Sequence, residues 1–254
     1  MVILCLDSAT TTARVALLDD DGRDGGDVND SRLVAAREAT AARHSSNLLR
    51  LCHETLEEAG VSPMGLGAIA CGAGPGSFTG LRVGLAVAKG LAMPAEVPLV
   101  LVSSLAAMAV DLFAAPDAAD VELAAPCIDG GKGAVHVGLF RRDQAGLVAI
   151  VAPPVLVLPG EILASLSPAS GGQRVAIAGN GADRYAGAID AAFASGTPSG
   201  ASSWRRLTVA GPTAVSVGRL GLLRRRRGEA DDLETAVPLY GRAPDITVKK
   251  TPEK

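Results

Sequence analysis

Aromatic residues and histidines are scarce in this sequence. Of its 254 residues, four are Phe, two are Tyr, one is Trp and three are His. A core must therefore be built mainly from Ala, Val, Leu and Gly, whose small side chains favour closely packed layers of helices and sheets. The histidines form no HxxxH pair, and the nine-residue spacing of His44 and His53 places them on opposite sides of a helix. The sequence therefore predicts no metal site.

A basic excess, a long apolar run and paired cysteines are lacking too. The formal net charge is −3, whereas a domain that grips nucleic acid usually carries a basic excess. No apolar stretch reaches the roughly 18 residues that span a bilayer, and "MVILCLDSATTT" predicts a strand rather than a signal peptide. The four cysteines lack CxxC spacing and lie in apolar runs, which predicts buried free thiols in a reducing cytoplasm.

The two halves of the sequence resemble each other. "CLDSATTTARVALLDDDG", from Cys5, aligns without a gap on "CIDGGKGAVHVGLFRRDQ", from Cys127, which places Asp7 opposite Asp129. The Gly-rich strings "ACGAG" and "IAGNGA" correspond further along the chain. Each half then predicts a strand–turn–strand unit, a helix, a strand with a Gly-rich exit and a further helix.

This repeat predicts an α/β fold of two lobes, the duplicated ribonuclease-H-like fold of the actin, Hsp70 and sugar-kinase superfamily. We expect a first lobe at 1–114, a linker at 115–120 and a second lobe at 121–254 that ends in a flexible tail. In that superfamily, one hairpin turn from each lobe embraces the phosphates of ATP. The corresponding residues here either hold a Mg-nucleotide or remain in a degenerate cleft. They are Asp7, Ser8 and Thr10 in the first turn, and Asp129, Gly130, Gly131 and Lys132 in the second.

The stretch "GAGPGSFTGLRVGLAVAKGLA" combines a Gly-rich turn with a helix. Gly72, Gly74 and Gly76 are able to present backbone N–H groups to an anion. A P-loop, however, needs GxxxxGK[ST], and no Lys followed by Ser or Thr stands at that place. Ser77 and Thr79 are suitable N-caps for the helix. We therefore predict that the turn is structural and adjoins an interface.

The helix that follows this turn is apolar nearly all round, with Arg82 and Lys89 as its only long polar side chains. Gly80, Gly84 and Ala88 recur every four residues and form a ridge of small residues. A glycine within a helix costs about 1 kcal/mol relative to Ala, so the ridge indicates the close approach of another backbone. That backbone belongs either to the same chain or to a second subunit.

Several strings resemble the TsaB family, which is also called YeaZ. "GAGPGSFTGLRVGLAVAKGLA" looks like the signature of that family, "LCLDSATTTARVALL" like its N-terminal hairpin and "HSSNLL" like the start of its first helix. "VPLVLVSSLAAMA" is similar to the strand and helix after the signature. The ending "VPLYGRAPDITVKK" resembles the family's Pro-x-Tyr-x-Arg motif, carried by Pro238, Tyr240 and Arg242. The resemblance covers nearly the whole chain.

The resemblance implies a bacterial cytoplasmic protein that is needed to form threonylcarbamoyladenosine in tRNA. It implies a non-catalytic scaffold, without a cofactor of its own, that dimerises with the catalytic paralogue TsaD and helps recruit the ATPase TsaE. ATP or ADP would bind only in that complex, tRNA would be contacted indirectly, and a homodimer is an option for the isolated chain. The alternative is an ATP-dependent phosphotransferase of the same superfamily that uses Asp7 and Asp129.

The predicted partner interface combines two helices. The helix within "HSSNLLRLCHETLEEAG" has an apolar arc wider than one core-facing stripe needs, so two helices per subunit would form a four-helix interface. The predicted interface residues are His44, Leu48, Leu49, Cys52, Gly76, Ser77, Phe78, Thr79, Gly80, Leu81, Arg82, Gly84, Val87 and Ala88.

Two further features bear on ligands. At the second hairpin turn the family usually has Asp-Ala-Arg followed by Glu and Tyr. In "DGGKGAVH", Gly131 replaces the Arg, Ala134 replaces the Glu and His136 replaces the Tyr. The role of that Arg and Glu is therefore not carried over, and the Gly-Gly pair looks more like a phosphate loop. The arginines at 224–227 are either solvated at a helix end or contact tRNA phosphates.

Overall fold

The structure is a computed structural model that describes residues 1–21, 27–40, 44–143, 147–195 and 203–240, with the backbone alone at 44–46. The predicted flexible tail, together with Arg242, lies outside these residues. Within them, the strands are β1 (Val2–Asp7), β2 (Thr12–Asp19), β3 (Arg32–Thr40), β4 (Ala68–Gly74), β5 (Leu99–Ser103), β6 (Leu123–Gly131), β7 (Ala134–Arg142), β8 (Val148–Val157), β9 (Val175–Ala178) and β10 (Trp204–Arg206). The helices are α1 (His44–Ala59), α2 (Phe78–Ala95), α3 (Ser104–Ala114), α4 (Ile162–Ser170), α5 (Asn180–Arg184), α6 (Ala186–Ala194) and α7 (Ala214–Arg226).

The strands form two sheets of the same topology. The first has the order β3-β2-β1-β4-β5, and the second has the order β8-β7-β6-β9-β10. In each sheet the first three strands are antiparallel meander strands and the last two run parallel to the first strand in sequence. Cys5 on β1 and Cys127 on β6 occupy equivalent central strands, as the sequence repeat predicted. The duplicated ribonuclease-H-like fold is therefore confirmed.

Helices and sheets alternate in five layers. α1 and α2 cover one face of the first sheet, and α7 and α3 cover its other face. α3 lies between the two sheets: Ala107 and Val110 pack towards the first, whereas Leu105, Met108 and Leu112 pack towards the second. α4 and α6 cover the outer face of the second sheet. The small side chains of these layers allow one short helix, α3, to pack against both sheets.

Helix α7 belongs to the predicted second lobe at 121–254 by its position in the sequence, yet it packs on the first sheet. α7 packs on β1, β2, β4 and β5 of the first sheet, where Val217 and Leu222 lie against Ile3 and Ala70. The chain therefore crosses back to the first sheet after β10, and the described residues that follow α7 contact β5 and α2 there. The sequence did not indicate this return, because α7 and the strands that it covers are far apart along the chain. The predicted boundary at 115–120 stays a prediction.

The cysteines are buried and free, as predicted. Burial raises the pKa of the Cys52 and Cys127 thiols to about 12. It raises the pKa of Cys5 and Cys71 as well. Because the thiolate is the reactive form, these side chains act as small apolar core residues at neutral pH.

Candidate functional site

The first hairpin turn, between β1 and β2, holds its aspartate inside the protein. Asp7 is fully buried; its Oδ2 accepts a hydrogen bond from Ser104 Oγ at 2.6 Å, and its Oδ1 accepts one from the Ala9 N–H at 2.9 Å. A Cβ atom on Gly72 would lie 1.9 Å from Asp7 Oδ2, so only glycine leaves room for this carboxylate. Ser104 Oγ also accepts a hydrogen bond from the Gly74 N–H at 3.1 Å. Asp7 is thus bonded, through Ser104, to the Gly-rich turn.

The ridge of small residues on α2 packs against this same turn. A Cβ atom on Gly80 would lie 2.0 Å from the Ser8 carbonyl oxygen, and one on Gly84 would lie 2.4 Å from Ser8 Oγ. Ser8 Oγ donates a hydrogen bond to the Gly80 carbonyl at 2.8 Å, and the Ser77 N–H donates one to the Ala9 carbonyl at 2.7 Å. The backbone that approaches the ridge therefore belongs to the same chain.

Ser77 is the N-cap of α2, since its Oγ accepts a hydrogen bond from the Gly80 N–H at 3.2 Å. Thr79 lies one step inside the helix and does not cap it. Ser8 and Thr10, the other first-turn residues of the predicted nucleotide site, are both buried. The first turn and the start of α2 thus form one hydrogen-bonded unit. Nucleotide binding at this turn stays a prediction.

The second hairpin turn, between β6 and β7, is more open. Asp129 Oδ2 pairs with Arg184 Nη1 at 2.9 Å, and its Oδ1 accepts a hydrogen bond from the Gly131 N–H at 3.0 Å. Asn180 Oδ1 accepts a hydrogen bond from the Asp129 N–H at 3.2 Å. Lys132 lies at the tip of the turn with a positive φ of 52°. Nucleotide binding at this turn stays a prediction.

Arg184 and Asn180 were not among the predicted site residues. They follow β9, at the "IAGNGA" string, and reach Asp129 because β9 is the neighbour of β6 in the second sheet. A Cβ atom on Gly130 would lie 2.6 Å from Leu156 Cδ1, so this glycine permits the close packing of β8 on the turn. The Arg184 guanidinium thus pairs with the Asp129 carboxylate at this turn.

A second buried carboxylate lies near Asp7. Asp111 on α3 accepts hydrogen bonds from Thr213 Oγ1 and Ser216 Oγ, each at 2.6 Å, and from the Thr213 N–H at 2.7 Å. Burial raises the pKa of Asp111 despite these bonds. The carboxylate fixes the start of α7 between the lobes. No local pattern in the sequence points to this role, because its partners lie at the start of a distant helix.

The contribution of Asp7 to the stability of the protein should fall as the pH rises through the acidic range. Burial raises the pKa of Asp7 to about 6 from 3.8, although the hydrogen bonds from Ser104 and Ala9 and the nearby Arg14 act in the opposite direction. Between these two values the folded chain binds this proton more tightly than the unfolded chain. The stabilisation from this group is therefore complete below pH 4 and is lost above pH 6, by on the order of 3 kcal/mol.

Urea unfolding of the wild type and of Asp7→Asn between pH 4 and pH 7 measures this effect. The variant carries no titrating group at this position, so its free energy of unfolding should depend less on pH. Asp111, whose pKa burial also raises, is present in both proteins, so the difference between the two pH dependences reports on Asp7. Equal pH dependence of the two proteins would show that Asp7 does not titrate in this range.

The outer faces of α1 and α2 expose part of the predicted interface. Leu49 on α1 is 51% exposed and Phe78 on α2 is 48% exposed. Arg82 Cζ lies 5.3 Å from the centre of the Phe78 ring. The predicted interface residues differ in their exposure. The exposed ones are Leu49, Phe78, Thr79 and Arg82, and the partly buried ones are Gly76, Ser77 and Val87. Those buried within the chain are Leu48, Cys52, Gly80, Leu81, Gly84 and Ala88. The side chain of His44 lies outside the described residues.

The arginines at the end of α7 bind within the chain. Arg224 pairs with Glu229 and Asp231 at 2.8 Å each, and Arg226 pairs with Asp20 at 2.6 Å. Arg225 Nη1 donates a hydrogen bond to the Glu229 carbonyl at 2.8 Å. Three of the four arginines at 224–227 therefore form ion pairs or hydrogen bonds within the protein.

In the described part of the chain, no helix is both long and apolar enough to cross a bilayer.

Comparison with known proteins gives one consistent family. A family model described as TsaD, tRNA N6-adenosine threonylcarbamoyltransferase, matches residues 37–195, a range that includes α1, β4 and α2. The tRNA threonylcarbamoyladenosine biosynthesis protein TsaB of Escherichia coli K12 is 38% identical over 147 residues, which are 58% of each chain. TsaB of Bacillus subtilis 168 is 31% identical over 168 residues, 65% of this chain and 66% of the relative. The chain thus spans about six-tenths of the length of the curated relatives it matches.

Solved structures of YeaZ proteins have the same fold as this chain. A protein from Pseudomonas aeruginosa described as similar to peptidase YeaZ has a TM-score of 0.73 at 27% identity, covering 95% of this chain and 99% of the other. YeaZ from Pseudomonas aeruginosa has a TM-score of 0.72 at 26% identity and covers 94% and 99% of the two chains. Model, relatives and folds point the same way: the chain belongs to the TsaB (YeaZ) family, within the wider family that the threonylcarbamoyltransferase model describes.

Proposed function

We propose that the chain is a non-catalytic scaffold subunit of the bacterial machinery that forms threonylcarbamoyladenosine in tRNA, and that it works in the cytoplasm. It dimerises with the catalytic paralogue TsaD, supports that enzyme and helps recruit TsaE. It contacts tRNA only through the complex. Any ATP or ADP that it meets, at the second hairpin turn, is bound only in the assembled complex.

The observation that carries this proposal is the contact between the first hairpin turn and α2. A phosphotransferase of this superfamily needs its first turn to reach the phosphates of ATP. Here Asp7 is fully buried and the Ser8 backbone packs on Gly80. The same contact fixes α2 against the lobe and leaves its other side, with Phe78 and Arg82, exposed at the surface.

The shared fold supports the choice of TsaD as the partner. The family model begins at residue 37 and includes α1 and α2, so an enzyme of that family carries counterparts of both helices. Two such faces can pack around a pseudo-twofold axis and bury the four helices against each other. The same geometry permits a homodimer when the enzyme is absent.

Reconstitution with purified cognate proteins tests the proposal. Unmodified tRNA is incubated with TsaD, TsaE, threonylcarbamoyl-adenylate and ATP, with or without this chain, and the modified nucleoside is measured by mass spectrometry. We expect modification only when the chain is present, and co-elution of the chain with TsaD in gel filtration. Equal modification without the chain would contradict the proposed role.

A further inference from the structure

The residues that follow α7 form a strap, 231–240, across the first lobe. At its start, Asp231 pairs with the edge strand β5: its N–H donates to the Leu99 carbonyl at 2.8 Å, and its Oδ2 accepts from the Leu101 N–H at 2.7 Å. Arg224 Nη1 donates to the same carboxylate oxygen at 2.8 Å and to the Leu101 carbonyl at 2.8 Å. These bonds hold the beginning of the strap at the edge of the sheet.

The strap then follows α2 towards its N-terminus. Lys89 Nζ, in the second half of α2, donates a hydrogen bond to the Glu234 carbonyl at 3.3 Å. Leu233 and Ala236 pack against the core beneath α1 and α2. At its end, the Leu239 N–H donates to the Ala73 carbonyl at 2.7 Å, next to the Gly-rich turn. Backbone bonds therefore fix both ends of the strap.

The last residue of the strap completes an aromatic pair on the surface. The Tyr240 and Phe78 rings lie 5.2 Å apart with a tilt of 34°, and Arg82 lies over the Phe78 ring. Tyr240 is 41% exposed and Leu239 is 52% exposed, whereas Phe113 and Phe140 are buried in the core. A chain with so few aromatic residues thus holds two of them side by side at the surface. Aromatic and arginine side chains are enriched at the energetic centres of protein interfaces.

We infer that the strap is part of the surface that binds TsaD, with Tyr240 stacked on Phe78 as one of its anchor points. This inference rests on the proposed function. The occupant is the catalytic paralogue because the patch adjoins the exposed side of α2, and the family model gives that enzyme a counterpart of α2. The backbone bonds of the strap preorganise the Tyr240 ring, so little conformational entropy is lost on binding.

The affinity of purified TsaD for four variants, measured by calorimetry, tests the inference. Tyr240→Ala and Phe78→Ala should each weaken binding about tenfold or more, because each removes half of an aromatic anchor. Tyr240→Phe keeps the stacked ring and should bind within about twofold of the wild type. Ile150→Ala, at a 62% exposed position on β8 of the other lobe, is the matched control and should also bind as the wild type.

The double variant of Tyr240 and Phe78 shows whether the two rings act together. Its loss should be smaller than the product of the two single losses, because the second change removes a ring that has already lost its partner. Wild-type affinity of Tyr240→Ala, together with weak binding of Leu49→Glu on α1, would overturn the inference and leave the proposed function intact. Absence of binding by the wild type would overturn both.

Discussion

Replacing Gly80 with Ala lowers the free energy of unfolding by about 1–3 kcal/mol, whereas the same change at Gly90, on the same helix, raises it by up to about 1 kcal/mol. The added methyl group meets opposite surroundings at the two positions. A Cβ atom on Gly80 would lie 2.0 Å from the backbone oxygen of Ser8, so the hairpin turn or α2 has to move. A Cβ atom on Gly90 would have no atom within 4 Å.

Gly90→Ala is therefore the control for helix propensity. It gains the usual advantage of Ala over Gly in a helix without any cost in packing. Urea unfolding of the two variants and the wild type at one pH gives both values. If the two variants change the free energy of unfolding by the same amount, the first hairpin turn does not press on α2.

This pair of glycines also shows what the sequence could and could not predict. The spacing of Gly80, Gly84 and Ala88 correctly indicated a close backbone approach, because a helix does not tolerate such glycines without a reason. It did not identify the approaching backbone. Ser8 is far from α2 in sequence, and only the pairing of β1 with β4 brings the two together.

The fold itself was readable because it is repeated. Cys5 and Cys127 begin two strings that align without a gap, and each string forms the first strand and hairpin of its sheet. The alternation of strands and helices then specified the remaining layers. The position of α7 was not predictable, because this helix is far along the chain from the strands that it covers. Only the three-dimensional packing decides that it covers the first.

The residues of the candidate sites were predictable where one segment supplies them. Phe78, Thr79 and Arg82 stand in one string with their N-cap, so their exposure follows from the helical period once the buried ridge is known. Arg184 at the second turn and Tyr240 beside Phe78 come from other parts of the chain. No local pattern links them to their partners.

A glutamate in place of Leu49 should weaken the binding of TsaD about 100-fold. Leu49 is 51% exposed on α1, so the folded chain accepts a charge there without loss of stability, and Glu is a good helix former. In the proposed complex the same position would be buried between apolar helices. An unpaired carboxylate would then lose its water without gaining a partner.

Leu158 provides the matched control, since it is 54% exposed and follows β8 in the other lobe. The most direct test of the account is therefore the affinity of purified TsaD for wild type, Leu49→Glu and Leu158→Glu. We predict a large loss for Leu49→Glu and an unchanged affinity for Leu158→Glu, with similar unfolding temperatures for all three. Unchanged affinity of Leu49→Glu, or a loss confined to Leu158→Glu, would contradict the claim that the outer faces of α1 and α2 bind the enzyme.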